Sequence, residues 1–158
     1  MFKGLTLFVS FLCFINFSFT QEIQSKSSLD IIEIRGDNVR EDDEGNYLID
    51  IYAKHSQPIA GIQFEVLGKD YQVLDVSGGK AGDAGFNFYN GEKGIILAFS
   101  LEGKLINPIQ EANEVIAPLL VLKLKKINPN SFEFNLKTLI AGKRGIKLES
   151  AFTPIVID

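Results

Sequence analysis

The sequence predicts an all-β protein, an antiparallel β-sandwich of about nine strands. Short apolar stretches recur at intervals of roughly eight to twelve residues, a spacing typical of sandwiches and barrels. Glycine and proline separate these stretches, and apolar and polar residues alternate within several of them, which indicates strands with one buried face. No amphipathic segment of helical period lies between the stretches, so a parallel α/β fold is not expected.

The strands expected from these patterns are, in chain order, residues 29–34, 47–53, 59–66, 71–76, 86–89, 94–101, 115–125, 132–137, 146–148 and 155–157. The polar residues 36–46 are expected to form a connection. Residues 77–85 hold four glycines, which predicts either a short helical turn or a bend around the sandwich edge. Asn90-Gly91 predicts a type I′ hairpin turn, because both residues accept the positive φ angles that this turn requires. Pro118 and a period of two favour a strand over a helix in residues 115–125.

The N-terminus has the layout of a secretory signal peptide. Lys3 provides a basic start, residues 5–19 are almost wholly apolar, and a polar segment follows. This apolar run is shorter than the ~20 residues that a membrane helix needs, so cleavage near Thr20 is favoured over a retained anchor. We therefore expect a signal peptide at 1–20, a flexible leader at 21–28 and one domain at 29–158. The predicted location is secreted, either extracellular or on the cell envelope, with no membrane span after cleavage.

The composition limits the classes of partner and the chemistry of stabilisation. The chain has 16 Lys and Arg against 20 Asp and Glu, a formal charge of −4, and no basic cluster, so no nucleic-acid partner is expected. Its single cysteine, Cys13, lies in the predicted signal peptide. The exported domain would then hold no disulfide and would depend on packing, or on packing and a bound ion.

An enzyme is not expected. His55 is the only histidine and lies beside Ser56 in a predicted turn, with no sign of the carboxylate that a serine-histidine relay needs. The sequence holds no phosphate-binding loop and no His-Glu-x-x-His motif. A pair of carboxylates for glycoside hydrolysis is left open by the many Asp and Glu residues.

One acidic run is a candidate metal site. Hard cations prefer several oxygen ligands from one flexible loop, and Glu41, Asp42, Asp43 and Glu44 offer four carboxylates in succession. Contiguous residues do not reproduce the alternate spacing of an EF-hand loop, and a solvated hairpin loop explains the run equally. No cofactor is predicted except this calcium alternative.

Two binding surfaces are suggested by the residues themselves. Tyr71, Phe86, Phe88 and Tyr89 are candidates for stacking on sugar rings, although Phe86 and Phe88 would also suit the core. Gln63 and Glu65 lie on the predicted wet side of the strand at 59–66, and could contribute to a flat protein-binding face.

The central stretch resembles a known family. Its residues are Ile59-Ala60-Gly61-Ile62-Gln63-Phe64-Glu65-Val66, Val76-Ser77-Gly78-Gly79, Ala84-Gly85-Phe86, Leu97-Ala98-Phe99-Ser100-Leu101-Glu102-Gly103 and Leu119-Leu120-Val121-Leu122-Lys123-Leu124. This pattern is similar to the cohesin-like modules of secreted bacterial proteins, and it covers most of residues 29–158. The resemblance implies a nine-stranded jelly-roll sandwich of the kind shared by cohesins and carbohydrate-binding modules.

The resemblance also implies a role. It predicts a non-catalytic binding module whose partner is an extracellular or cell-surface protein, recognised on a sheet face as in cohesins. The alternative on the same fold is a module that binds a polysaccharide.

Overall fold

Two five-stranded β-sheets pack face to face in the computed structural model, which describes residues 31–108 and 116–157. The described elements are β1 (Ile32–Glu41), β2 (Tyr47–Lys54), β3 (Ile59–Val66), β4 (Tyr71–Ser77), α1 (Gly79–Asp83), β5 (Asn87–Asn90), β6 (Ile95–Phe99), β7 (Leu120–Lys126), β8 (Glu133–Phe134), β9 (Leu136–Gly142), β10 (Lys147–Leu148), β11 (Ser150–Thr153) and β12 (Ile155–Val156). Sheet A has the strand order β11-β1-β2-β7-β4, and sheet B has the order β10-β9-β3-β6-β5. Strands β8 and β12 form a separate two-stranded ribbon.

The all-β sandwich prediction is confirmed, with more strands than expected. Twelve strands are described rather than about nine, because several of the later ones are only two residues long. One pair is not antiparallel: β1 and β11 run parallel, with Ile34 opposite Phe152. This pairing arises where the chain leaves β10 in sheet B and enters β11 in sheet A with Glu149 as the single residue between them.

Strand β1 extends through much of the predicted connection at 36–46. A register shift between Asp37 and Arg40 marks a β-bulge, and Asn38 there has a φ of 50°. The bulge lets polar residues stay on the outer side while the strand continues to pair with β2. The true turn is confined to the residues between Glu41 and Tyr47.

The hairpin β5–β6 is confirmed, but its predicted turn type is wrong. Gly91 has a φ of −87°, and the positive φ angles fall at Lys93 and Gly94, in a short 3-10 turn. The Asn90 side chain instead donates a hydrogen bond to the Val73 carbonyl at 2.9 Å, which ties the hairpin to the edge of sheet A. A tertiary contact has therefore replaced the local turn that Asn-Gly favours.

The predicted strand at 132–137 is divided at Asn135. Residues before it form β8 in the ribbon, and residues after it enter β9 in sheet B. Phe134 is fully buried and meets the rings of Tyr71 and Phe152 edge-on, at centroid distances of 5.6 and 6.1 Å. The ribbon thus closes one end of the sandwich with an aromatic cluster.

The core is formed by the inward-facing residues of both sheets. Sheet A contributes Ile49, Ile51, Leu120, Leu122 and Leu124, and sheet B contributes Phe64, Ile96, Ala98 and Ile140, all fully buried. Each such leucine or isoleucine stabilises the fold by roughly 1.5–3 kcal/mol relative to its exposed state.

Helix α1 joins the edges of the two sheets. Its first N–H groups have no partner inside so short a helix, and Lys80 and Ala81 donate theirs to the carbonyls of Pro118 and Leu119, both at 2.9 Å. The chain entering β7 therefore caps the helix. Of the two structures left open for residues 77–85, the short helical turn is the one formed.

The predicted signal peptide at 1–20 and leader at 21–28 lie outside the described residues. Within 31–108 and 116–157, no helix combines the length and apolar character required to cross a bilayer.

Candidate functional site

The centre of the outer side of sheet B is apolar, where an antiparallel sheet usually meets water with polar side chains. Hydrogen-bonded register places Gln63 of β3 between Leu97 of β6 and Leu139 of β9, with Tyr89 of β5 beside Leu97. We define the apolar face as Gly61, Gln63, Glu65, Tyr89, Ile95, Leu97, Phe99, Leu139 and Ala141. Gln63, Glu65 and the Tyr89 hydroxyl are its polar groups. The same registers place three exposed polar residues around it, on the same side of the sheet: Asn87, Lys137 and Lys147.

The sequence of β6 explains this face. Ile95-Ile96-Leu97-Ala98-Phe99 is apolar at every position, so both sides of the strand are apolar. Ile96 and Ala98 fill the core and are fully buried. Their neighbours Ile95, Leu97 and Phe99 point outwards and are only half-buried. A strand that is apolar at every position in an antiparallel sheet is the sequence signal for such an apolar face.

Two aromatic rings lie at one side of the apolar face. Tyr89 stacks on Phe99 at a centroid distance of 5.4 Å and an interplanar angle of 16°. Tyr89 is 46% exposed, and Leu139 across the sheet is 44% exposed. Stacked aromatics present a large contact area with little conformational freedom to lose, which suits them to anchor a partner.

The polar groups of the apolar face are few and separate. The Gln63 amide forms no side-chain hydrogen bond with any residue that the structure describes. Glu65 accepts a hydrogen bond from Lys137 at 3.3 Å, at the edge of the face. The predicted outward placement of Gln63 and Glu65 is confirmed, but the surrounding apolar side chains were missed.

The outer side of sheet A has the opposite character. Arg40 lies 2.9 Å from Asp50, and Lys54 lies 3.9 Å from Glu33. The Asp50 Oδ1 atom is buried without a well-aligned hydrogen bond, so the Arg40 ion pair is what offsets its desolvation. This charged surface is what a solvent-facing sheet ordinarily shows, and the contrast singles out the apolar face.

The acidic run is used for a turn and an ion pair. Asp42 Oδ1 accepts the backbone N–H groups of Glu44 and Asn46, both at 2.9 Å. Its other oxygen lies 2.8 Å from Lys123 Nζ, and Glu44 lies 3.3 Å from the same ammonium group. The Lys123 contact, with the backbone hydrogen bonds, holds the pKa of Asp42 well below its usual range, while these two carboxylates raise the pKa of Lys123.

These contacts bear on the calcium prediction for Glu41, Asp42, Asp43 and Glu44. Two of the four carboxylates face a lysine, which takes the place that a cation would occupy. Among the described residues, no three His, Cys, Asp or Glu side chains are grouped so that they could hold a metal ion. Calcium binding by this run stays a prediction.

His55 has a structural role in the turn before β3. Its Nδ1 atom lies 2.8 Å from the Gln57 carbonyl, so the N–H donates across the turn. Burial lowers the pKa of His55, which favours the neutral ring. With Nδ1 protonated, Nε2 remains as an acceptor.

The four aromatic residues proposed for sugar stacking do not share one surface. Tyr71 and Phe86 are each only 6% exposed, and Phe88 faces inwards against the core. Burial also raises the pKa of Tyr71, whose hydroxyl donates to the Ser131 carbonyl at 3.2 Å. Only Tyr89 reaches the surface, and it belongs to the apolar face. The expected aromatic platform is corrected accordingly, because the sandwich core takes the other three rings.

Comparison with solved structures gives the fold. The third ScaB cohesin of R. flavefaciens, solved in complex with a group 1 dockerin, aligns with a TM-score of 0.55 and 12% identity over 84% of this chain and 98% of that chain. CaCohA2 of Clostridium acetobutylicum, solved in complex with a variant of CaDoc0917, aligns with a TM-score of 0.52 and 12% identity over 80% of this chain and 99% of that chain. A non-cellulosomal cohesin from the archaeon Archaeoglobus fulgidus aligns with a TM-score of 0.52 and 11% identity, over 78% and 87%.

At such low sequence identity, these structural alignments establish the fold alone. They confirm the cohesin-like sandwich that the sequence resemblance implied. No protein-family model matches the chain, and no curated protein matches it.

Proposed function

We propose that this chain is a non-catalytic module that binds a protein partner on the apolar face of sheet B. The observation that carries the proposal is the apolar outer side of β6, flanked by the Tyr89–Phe99 stack and by Leu139. An apolar sheet side that none of the described residues covers is stabilised when a partner removes it from water. Gln63, at its centre, supplies an amide that has no hydrogen-bond partner among the described residues and would orient that partner through hydrogen bonds.

The fold supports this reading. Two of the cohesin-like structures were solved with a second protein, a dockerin in the R. flavefaciens complex. The surface proposed here needs a partner with a complementary apolar ridge and a polar group aligned with Gln63. The proposal assigns no catalytic residues, because the evidence for it is a contact surface.

We also propose that the module works outside the cytoplasm, as the predicted signal peptide at 1–20 implies. Expression of the full chain in a host with a secretion pathway should yield exported protein whose N-terminus lies near Gln21. Retention of Met1 on the exported protein would overturn the cleavage, and recovery of the full-length chain in the cytoplasm alone would overturn the location.

A pull-down tests the docking face. The exported protein, residues 21–158, is immobilised and incubated in parallel with envelope extract and with insoluble polysaccharides. We expect one discrete protein to be retained by the wild type and lost with Leu97→Glu, which places a charge on the apolar face. Leu74→Glu is the matched control, because Leu74 is 39% exposed on sheet A.

Each outcome decides the proposal. Retention that survives Leu97→Glu, or is lost equally with Leu74→Glu, would show that the apolar face is not the docking surface. Retention by polysaccharide without a protein partner would replace the proposal with the carbohydrate-binding alternative.

A further inference from the structure

A cavity of about 460 Å³ is lined by residues of β1, β2 and β11 in sheet A. Its walls include Glu33 and Arg35 of β1, the residues opposite them on β2, Lys54 and Tyr52, and also His55, Ile116 and Thr153. The volume falls within the range of roughly 300–1,000 Å³ typical of small-molecule sites. None of these residues takes part in the proposed docking face.

Arg35 is the distinctive group in this cavity. Its guanidinium carbon lies 5.7 Å from the centre of the Tyr52 ring, which is a cation–π contact. Among the described residues, Arg35 has neither an ion pair nor a side-chain hydrogen bond. A guanidinium that contacts an aromatic ring and whose N–H donors have no partner among the described residues is suited to bind a carboxylate with two parallel hydrogen bonds.

Tyr52 is in turn positioned by a hydrogen bond to its hydroxyl group. The Asn38 side chain, at the bulge of β1, donates a hydrogen bond to the Tyr52 hydroxyl oxygen at 3.0 Å. The hydroxyl hydrogen of Tyr52 stays available for an acceptor. The bulge, the tyrosine and the arginine therefore form one supported wall, which reduces the conformational entropy lost when a ligand binds.

The remaining walls add positive charge and hydroxyl-binding groups. The Lys54 side chain is 84% exposed and lies 3.9 Å from Glu33, so their ion pair is weak. Lys54 and Glu33 cancel in charge, and Arg35 therefore gives the cavity a net positive charge, although the chain has a net charge of −4. Thr153 offers a hydroxyl, His55 an acceptor nitrogen, and Ile116 an apolar surface. A matching ligand would carry a carboxylate, several hydroxyl groups and one apolar side of a ring. A uronic acid has all three.

We propose that this cavity binds an acidic sugar of the uronate type, with its carboxylate on Arg35 and its hydroxyl groups among Tyr52, His55 and Thr153. This site is independent of the protein-docking face. A module with both sites would hold a protein partner on one side and an acidic glycan on the other.

The test is an NMR titration of ¹⁵N-labelled protein, residues 21–158, with three separate probes: D-glucuronate, D-glucose and succinate. We expect D-glucuronate to shift the amide signals of Arg35, Tyr52 and Lys54 along a saturable curve. We expect D-glucose to bind about tenfold more weakly, because it lacks the charge-assisted hydrogen bonds to Arg35. Succinate, which has the carboxylate without the hydroxyl groups, is expected to be weaker as well.

Arg35→Gln should weaken D-glucuronate binding about tenfold, since one charged hydrogen-bonding group is lost. Arg35→Lys keeps the charge but not the planar fork, and should also bind more weakly. Arg144→Gln is the matched control, because it removes one positive charge from the turn between β9 and β10 and should leave binding unchanged. Both Arg35 variants should retain the dispersed amide spectrum of the fold.

The proposal would be overturned if D-glucuronate gave no saturable shifts in these signals, or if Arg35→Gln and Arg35→Lys both bound as the wild type does. If D-glucose bound as tightly as D-glucuronate, the carboxylate would have no role in binding. If succinate bound as tightly, the sugar hydroxyl groups would have none.

Discussion

At the scale of single residues, Gly79 occupies a position that no side chain fits. Its φ is 63°, and an added Cβ would lie 2.5 Å from the Pro118 carbonyl oxygen and 2.7 Å from Leu119 backbone atoms. The same close approach allows Lys80 and Ala81 to donate to those two residues. Because the obstructing atoms belong to the backbone entering β7, they cannot move aside without disturbing sheet A.

We expect Gly79→Ala to lower the free energy of unfolding by about 2–4 kcal/mol, from a left-handed alanine and a backbone clash. Gly82→Ala is the control within the same helix, since its Cβ would meet nothing within 4 Å and its φ is not positive. That variant should be neutral or up to about 1 kcal/mol more stable. Urea denaturation measures both, and equal effects would contradict this account.

Asp42 is a second residue whose contacts make a prediction. Because the fold holds the Asp42 pKa below its ordinary value of 3.8, the carboxylate stabilises the folded state at pH values above that value. The stabilisation is lost as the pH falls and Asp42 takes up a proton. We therefore expect Asp42→Asn to melt at a lower temperature than the wild type near neutral pH, with a difference that shrinks in acid.

Asp43→Asn is the matched control, since Asp43 is exposed and makes no contact of this kind among the described residues. Thermal melts followed by circular dichroism across the acid range give the comparison. A difference for Asp42→Asn that stays constant with pH would show that its charge is not the source of stability.

At the scale of elements, β6 combines a structural side and a surface side in one apolar strand. Ile96 is fully buried, and Leu97 beside it is half-buried on the apolar face. We expect Ile96→Ala to lower the free energy of unfolding by about 2–5 kcal/mol through lost burial and a cavity. Leu97→Ala should lower it by about 1 kcal/mol or less, because Leu97 already contacts water.

Chemical denaturation of the two variants separates these sides. An equal cost for both substitutions would mean that the outer side of β6 is covered within the chain itself, and the docking face would then be excluded. This stability measurement is independent of any partner, so it checks the surface before the pull-down does.

At the scale of the whole molecule, the two ends of the described chain stabilise each other. Strand β11 pairs in parallel with β1, with Ile32 opposite Ser150 and Arg35 opposite Thr153. The ribbon formed by β8 and β12 encloses Phe134, and Ile157 is fully buried beside it. Strands near opposite ends of the sequence are thus needed to close both sheet A and one end of the core.

We expect truncation after Glu149 to abolish cooperative unfolding, since it removes β11 and β12 and exposes Phe134 together with the edge of β1. Removal of Asp158 alone is the control and should leave the melting curve unchanged. Calorimetry of both proteins makes the comparison, and a truncated chain with a sharp transition would show that the sandwich is complete without these strands.

The sequence by itself determined the all-β class, the positions of most strands and the inward residues of β3, because period-two alternation and glycine punctuation are local properties. Hydrogen bonds and contacts between distant segments could not be predicted from these local patterns. The bulge that extends β1, the split at Asn135 and the sugar-stacking residues lost to the core all depend on which strands become neighbours.

Only the tertiary structure decided where the two candidate sites lie. Ile95, Leu97 and Phe99 read as core residues until their neighbours in sheet B are known, since an apolar strand does not reveal whether both its sides are covered. Likewise, Arg35 and Tyr52 are far apart in the sequence and meet because β1 pairs with β2 in one register. Both proposed sites are surfaces assembled across strands, and such surfaces are set by strand order rather than by any single segment.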